Sequence, residues 1–268
     1  MVVGSTEERL RATPYHQRVC RIETYPHSLM LPPRAPPGHD GMPIPDYVTM
    51  MADAGCQVHV VAAAPESGQP RFNSRLLPGV TAAEDLPGAS ADPLPSEFIE
   101  LAHERGIVVL SYVGLFSQPS LAQLRPEWLM QYLEDPSWPE SKVLTDEHGE
   151  PNFTNRWFCP LSPFRAWLVE FLLEMAERLD VDGWYFDGTN LGSHGSGGYK
   201  TGCCCPRCAE AFEEASGYKI PMTVDFTLPS WAAFLSWRQS VIAEFMRDVT
   251  AAVRVVRPHA VLPLQPLP

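Results

Sequence analysis

An apolar, aromatic run that ends abruptly in a carboxylate constrains the fold of this chain more than any other stretch. The run covers 181–186, and Asp187 and Gly188 follow it directly. Ser162 and Pro163 have the form of a helix N-cap and a first helical residue, and apolar residues then repeat at three- and four-residue steps. The pattern predicts an amphipathic helix that packs back on a sheet. The strand after it then brings Asp187 to the carboxyl end of the sheet, where α/β proteins carry their chemistry.

Strand and helix patterns alternate along the rest of the chain. Predicted strands cover 19–25, 57–64, 107–113 and 181–187, and a fifth begins at 259–264. Predicted helices cover 45–54, 96–105, 163–179, 206–216 and 231–256, with a short helical piece at 128–133. The order βαβαβαβαβ implies parallel strands joined by crossover helices.

The loops favour a barrel of the (β/α)8 TIM type over a doubly wound sheet. Each strand-to-helix connection is long, whereas each helix-to-strand connection is a residue or two, so only one face is elaborated. No G-x-G-x-x-G or G-x-x-x-x-G-K-[ST] motif follows a strand, which counts against the nucleotide-binding open sheets. The sequence alone leaves both architectures open.

The strand count is low for a complete barrel. A (β/α)8 barrel takes about 250 residues, yet these 268 residues supply about five strands. The sequence therefore predicts a barrel truncated after about five strands, or a chain that borrows the rest. We expect an N-terminal arm at 1–18 and a partial barrel domain at 19–268, and a homo-oligomer is compatible with this arrangement.

Charge and hydropathy limit the classes of partner. The formal net charge is −12, which argues against nucleic acid or an anionic membrane surface as the main partner. A neutral carbohydrate substrate fits this charge. No apolar run approaches the roughly 20 residues that cross a bilayer, and no secretion signal is visible, so we expect a soluble protein, cytoplasmic if its N-terminus is complete.

Asp187 is the strongest catalytic candidate in the sequence. A carboxylate at the end of a buried aromatic strand, with space beside it at Gly188, suits a nucleophile or a base whose partner comes from a neighbouring strand. The alternative is a turn-capping or Arg-paired Asp. Asp182, at the other end of the same strand, is interpreted as a helix-to-strand turn residue.

Three segments together resemble a known group of proteins. They are the strand motif at 181–188, the segment Trp157–Arg165 before it and the segment Cys203–Phe212 after it. The chain resembles, over roughly 19–264, the glycosyl-hydrolase-like TIM-barrel group called "hypothetical glycosyl hydrolase 6". Its strand motif is similar to that of α-L-fucosidases and related retaining glycosidases, whose nucleophilic Asp ends the fourth barrel strand. This resemblance implies that Asp187 is the nucleophile and that the acid/base comes from a later strand.

Four cysteines have the spacing of a metal site. Cys203, Cys205 and Cys208 provide three thiolates close enough to share one tetrahedral ion, and Cys159 can supply the fourth. The arrangement resembles the structural zinc site of family 42 β-galactosidases. The chain departs from those enzymes at the strand, which ends in Phe-Asp-Gly where they have Asn-Glu. We expect structural zinc without a catalytic role; reduced thiols or a disulfide are the alternatives. Cys204 is the one cysteine of this segment outside the predicted set, although it could replace a neighbour as ligand.

Several polar and aromatic residues on the elaborated face are candidates for binding a sugar. These substrate-binding candidates are His27, Tyr112, Arg156, Trp157, Asn190 and His194. Loop packing or turn formation is the alternative for each of them. His59, in the middle of a strand, is interpreted as a core histidine, and Glu66 is a weaker candidate for a second carboxylate.

Two other classes of function remain open from the sequence. His27, Asp187 and His194 could form an open metal site for amide or ester hydrolysis, although no His-x-His or His-Glu-x-x-His spacing supports it. The chain could also be a non-catalytic carbohydrate-binding or assembly domain of barrel fold. The favoured interpretation is a retaining glycoside hydrolase with Asp187 as nucleophile.

Overall fold

The computed structural model describes residues 20–22, 43–64, 72, 74–77, 96–131, 157–188, 203–221 and 225–262. For 20–22, 62–64 and 119–120 it describes the backbone only. Over these ranges the chain alternates strands and helices, as the sequence predicts, and no described helix has both the length and the apolar character needed to cross a bilayer.

Four parallel strands form the sheet. They are β1 (Cys20–Ile22), β2 (Val58–Ala64), β3 (Val108–Gly114) and β4 (Gly183–Asp187), hydrogen-bonded in the order β1-β2-β3-β4. The predicted parallel pairing is confirmed. Among these strands the order follows the sequence without the reversal point of a doubly wound sheet. Closure of the sheet into a barrel stays a prediction.

A further segment joins the sheet beside β4. Val261 pairs with Gly183 in a parallel bridge, in which the Trp184 N–H donates to the Val261 carbonyl at 3.0 Å. The Val261 N–H donates in turn to the Asp182 carbonyl at 3.0 Å. The predicted fifth strand is therefore present in the described residues as a single bridge in the parallel direction.

Helices connect the strands close to the predicted bounds. They are α1 (Ile44–Asp53), α2 (Ser96–Glu104), α3 (Pro119–Leu124), α4 (Phe164–Arg178), α5 (Pro206–Ser216) and α6 (Pro229–Val256). Gly55 and Gly106 close α1 and α2 with φ of 74° and 73°, a left-handed conformation that suits glycine. The Ser162 hydroxyl accepts the Phe164 N–H at 3.3 Å, which confirms its capping role at α4.

The short helical piece predicted at 128–133 is described only over 128–131, and there only Trp128 is helical. The helical turns lie earlier, in α3 and in a 3-10 turn at Pro126–Trp128, and each has a proline in its first turn. Leu129 is extended and forms an antiparallel bridge with Phe158. The Met130 N–H also donates to the Trp157 carbonyl at 2.8 Å, so pairing with a distant segment overrides the local helical pattern.

The side chains of the sheet alternate between two buried faces. One face carries Val58, Val60, Val108, Leu110 and Tyr112, packed with Tyr185 and Val261. On the other face, fully buried His59 packs its ring against Tyr47 of α1 and Phe98 of α2, with centroids 5.9 and 5.3 Å apart. His59 is therefore a core residue, as predicted.

The chain divides into two compact units. The first comprises Met1–Gly114, Phe171–Asp187 and Val253–Gln265, and it contains the sheet. The second comprises Leu115–Glu170, Gly188–Ala252 and Pro266–Pro268. The core of the second unit is aromatic: Phe158 and Phe164 stack with centroids 4.4 Å apart, and Phe212 meets Phe234 edge-on at 5.2 Å.

Candidate active site and cysteine cluster

Asp187 is the last residue of β4, at the carboxyl end of the parallel sheet. The position predicted from the sequence is confirmed. The side chain is partly exposed, while Phe186 before it is fully buried. Alternation along β4 places Asp187 on the same face as Tyr185, whose ring packs against the cluster formed by β2 and β3.

Tyr112 of β3 holds this carboxylate. Its hydroxyl donates a hydrogen bond of 2.5 Å to Asp187 Oδ2. The strand register explains the contact, because Tyr112 pairs with Tyr185 and Gly114 pairs with Asp187. Tyr112 therefore reaches its partner diagonally, two positions along the neighbouring strand, and the residue directly beside Asp187 has no side chain.

The ring of Tyr112 is fixed by packing. Its exposure is 4%, and it stacks on Tyr185 with centroids 6.2 Å apart and planes 28° apart. The strand predicted at 107–113 continues one residue further, to Gly114. Binding of substrate by Tyr112 stays a prediction. In this structure its polar atom contacts the candidate nucleophile.

At the opposite end of β4, Asp182 forms hydrogen bonds with β3. Its Oδ2 accepts the Val109 N–H at 2.9 Å and lies 3.0 Å from His103 Nε2. The Asp182 N–H donates to the Val109 carbonyl at 2.8 Å. Asp182 is thus a residue of the turn between helix and strand, as predicted, and it fixes the start of β4 against β3.

Most of the other sugar-binding candidates lie outside the described residues. These are His27, Arg156, Asn190 and His194, together with Glu66. Trp157 is described and is 6% exposed. Its ring packs on Phe116 with centroids 6.3 Å apart, and a Cβ added to Gly188 would lie 3.5 Å from the indole. The role of Trp157 in binding stays a prediction.

The four predicted metal-ligand cysteines converge in the second unit. Their Sγ atoms all lie within 4.8 Å of one another, and all four residues are buried. Cys159 Sγ is 3.7 Å from Cys205 Sγ and 3.5 Å from Cys208 Sγ. Cys205 occupies the N-cap position of α5 and Cys208 its first turn, so the local spacing places these two thiols together.

The spacing of the thiols fits a tetrahedral metal ion. Thiolate–zinc bonds of about 2.3 Å in tetrahedral geometry require sulfur atoms about 3.8 Å apart. The two distances from Cys159 Sγ, 3.7 and 3.5 Å, are close to this value. Cys159, Cys203, Cys204, Cys205 and Cys208 are free thiols in the structure. The cluster could therefore hold a metal ion, and among the residues that the structure describes it is the one group of three or more such ligands.

The four thiols of the cluster share protons unequally: hydrogen bonds among them raise the pKa of Cys159 and of Cys208, and lower the pKa of Cys203 and of Cys205. Hydrogen bonds from the Cys159 thiol and the other two neighbours lower the pKa of Cys205 well below its ordinary value, which favours a thiolate there. Burial, and then the charge of Cys203, raises the pKa of Cys204 to about 11. Cys204 Sγ donates instead to the Gln131 carbonyl at 3.0 Å, so Cys204 has a partner outside the cluster.

Sequence reasoning missed the contact between Tyr112 and Asp187. Alternation could have placed Tyr112 and Gly114 on one face of β3, since they are two residues apart. The register that pairs Gly114 with Asp187 joins segments more than 70 residues apart, and no local pattern specifies it.

Solved structures of glycoside hydrolases resemble this fold. An α-L-fucosidase isoenzyme 2 from Paenibacillus thiaminolyticus matches with 18% identity and a TM-score of 0.54, over 84% of this chain and 29% of that one. A β-galactosidase from Marinomonas ef1 matches with 17% identity and a TM-score of 0.56, over 92% and 36%. A β-galactosidase from Halorubrum lacusprofundi matches with 20% identity and a TM-score of 0.53, over the same shares.

These similarities concern the fold. No protein-family model and no curated protein matches the chain. The chain spans about a third of the length of the structures it resembles. At these identities the likeness is one of architecture, and the chain has a glycoside-hydrolase-like fold.

Proposed function

We propose that this chain belongs to a retaining glycoside hydrolase and that Asp187 is its nucleophile. The observation that carries the proposal is the Asp187 carboxylate at the carboxyl end of β4, held by the Tyr112 hydroxyl in a fold that resembles glycosidases. Parallel α/β barrels place their catalytic groups at this end of their strands. In this proposal, residues 19–268 form part of a (β/α) barrel and residues 1–18 form an N-terminal arm.

The chemistry follows the two-step retaining mechanism. Asp187 attacks the anomeric carbon, so that a carbon–oxygen bond to the enzyme forms while the bond to the leaving group breaks. A second carboxyl group protonates the leaving oxygen and later activates water to hydrolyse the glycosyl-enzyme. We assign that group to a strand other than β4. His27, Arg156, Trp157, Asn190 and His194 are proposed to contact the sugar.

The cysteine cluster is proposed to hold a structural zinc ion. Cys159, Cys203, Cys205 and Cys208 would occupy all four positions of a tetrahedral ion, which leaves no open position for a substrate. When bound, the metal supplies a cross-link between the segment before α4 and the start of α5, and it takes no part in glycosidic cleavage.

Hydrolysis of activated glycosides tests the proposal. Glycosyl fluorides and dinitrophenyl glycosides need little acid assistance, and the panel includes α-L-fucosides and β-D-galactosides. We expect turnover of one sugar with retention of anomeric configuration by proton NMR, and loss of turnover in Asp187→Asn. Asp180→Asn is the matched control, because Asp180 is exposed and seven residues upstream. Unchanged turnover in Asp187→Asn would remove Asp187 from the mechanism.

A further inference from the structure

The contact between Tyr112 and Asp187 is held in place by the packing of the first unit. Tyr112 is 4% exposed, and its ring is stacked on Tyr185, so the hydroxyl has little freedom to leave its partner. At 2.5 Å the hydrogen bond has the length of a phenol donating to a charged carboxylate. Both residues sit on regular strands, which are more rigid supports than loops.

The register leaves room for this contact. Gly114 pairs with Asp187 directly, so no side chain of β3 stands beside the carboxylate at its own level. Tyr112 lies two residues before Gly114 on β3, on the face that carries Leu110 and Tyr185. The hydroxyl therefore reaches the carboxylate from within the sheet face, and it fixes the torsion of the Asp187 side chain through Oδ2.

We infer that Tyr112 is a positioning residue that orients the Asp187 carboxylate for attack on a glycoside, rather than a residue that binds the sugar. The inference rests on the proposed function. A carboxylate held within a fraction of an ångström of its productive geometry reacts far faster than one free to rotate. Tyr112 then acts on the rate of bond formation between Asp187 and the anomeric carbon, with little effect on the binding of the sugar.

A trapping experiment measures this role directly. A 2-deoxy-2-fluoro glycosyl fluoride of the sugar that labels the wild-type chain is used over a range of concentrations. In Tyr112→Phe the ring and its stacking remain, and only the hydroxyl is lost. We expect the maximal labelling rate of Asp187 to fall about tenfold or more, with little change in the reagent concentration that gives half of that rate. Tyr47→Phe is the matched control, since it removes a hydroxyl from a buried tyrosine of α1.

A second measurement does not depend on reactivity. Unfolding equilibria of wild type, Tyr112→Phe, Asp187→Ala and the double variant form a double-mutant cycle, in which alanine removes the acceptor that asparagine would keep. A hydrogen bond to a charged carboxylate predicts a coupling of about tenfold or more in the unfolding equilibrium constant. A coupling below about twofold, within the usual range of additivity, would overturn the inference.

The outcomes separate the inference from the proposed function. If wild type is labelled at Asp187 and Tyr112→Phe is labelled at the same maximal rate, the positioning role is wrong while the proposed nucleophile stands. If only the half-maximal concentration changes, Tyr112 binds the sugar and the inference is overturned. If no sugar labels the wild-type chain, the proposed function fails, and the positioning role fails with it.

Discussion

Gly183 and Val261 approach so closely that a side chain at position 183 has no room. A Cβ added to Gly183 would overlap the backbone of Val261, and the carbonyl oxygen is the first atom it would meet. These residues form the parallel bridge by which the segment after α6 joins β4. The start of β4, and thus the strand that carries Asp187, depends on a residue without a side chain.

Gly183→Ala is therefore expected to destabilise the chain. Overpacking of this kind costs about 1–3 kcal/mol of the free energy of unfolding, and occasionally more. Urea denaturation followed by circular dichroism measures it. Because the overlap is with backbone atoms, Val261→Ala should not restore stability to Gly183→Ala. A double variant as stable as Val261→Ala alone would show that the backbone moves apart freely.

Removal of a cysteine from the cluster should release the metal ion. Metal analysis of the purified chain is expected to find one ion per chain, with zinc as the proposed metal, and none in Cys159→Ser or Cys205→Ser. At free zinc 1,000-fold above its dissociation constant, the bound ion stabilises the fold by about 4 kcal/mol, and a chelator should remove that stability.

Cys204→Ser is the control for the cluster. Its thiol lies beside Cys203 and Cys205 in the sequence but donates to the Gln131 carbonyl. The variant should keep its metal ion and most of its stability. Metal loss in Cys204→Ser with retention in Cys205→Ser would reverse the assignment of ligands.

Glu174 should make a pH-dependent contribution to stability. Burial alone would raise its pKa, but hydrogen bonds from the Arg75 N–H, the Ser74 hydroxyl and the Arg75 side chain together lower it below 4.5. A group with a lowered pKa stabilises the folded state above its unfolded pKa and loses that contribution as the pH falls through the folded value. Glu174→Gln should cost about 1–3 kcal/mol at pH 7, and progressively less below about pH 4.5.

Glu177→Gln provides the comparison for Glu174. Glu177 pairs with the same arginine, with Arg75 Nη2 at 2.8 Å, but its side chain is 62% exposed. An exposed ion pair contributes at most about 1 kcal/mol. Chemical denaturation of both variants between pH 3 and pH 7 measures the difference. An equal loss of stability in Glu177→Gln and Glu174→Gln would contradict the role of Glu174.

The contacts that could be predicted from the sequence are local ones. Ser162 caps α4 through a residue two positions away, and Asp187 ends a strand whose apolar run is continuous. Cys205 and Cys208 lie in one helical turn, so their convergence follows from spacing. These features depend on residues close in sequence, where propensity and periodicity determine the outcome.

The contacts that could not be predicted join distant segments. Arg75 and Glu174 are 99 residues apart and Tyr112 and Asp187 are 75 apart, so each pair depends on tertiary register. The helical turn predicted at 128–133 is wrong over its described residues, 128–131, for the same reason, because Leu129 forms an antiparallel bridge with Phe158. Tertiary pairing overrides local propensity at these positions.

Peptide mapping after incubation with 2-deoxy-2-fluoro glycosyl fluorides tests the central claim most directly. A fluoride leaving group needs little protonation, so the nucleophile can be trapped without help from a general acid. The account predicts an increase in intact mass equal to one fluoroglycosyl group, located on Asp187 and absent in Asp187→Asn. An adduct on another carboxylate, or no adduct from any sugar on folded, metal-loaded chain, would contradict Asp187 as the nucleophile of a retaining glycosidase.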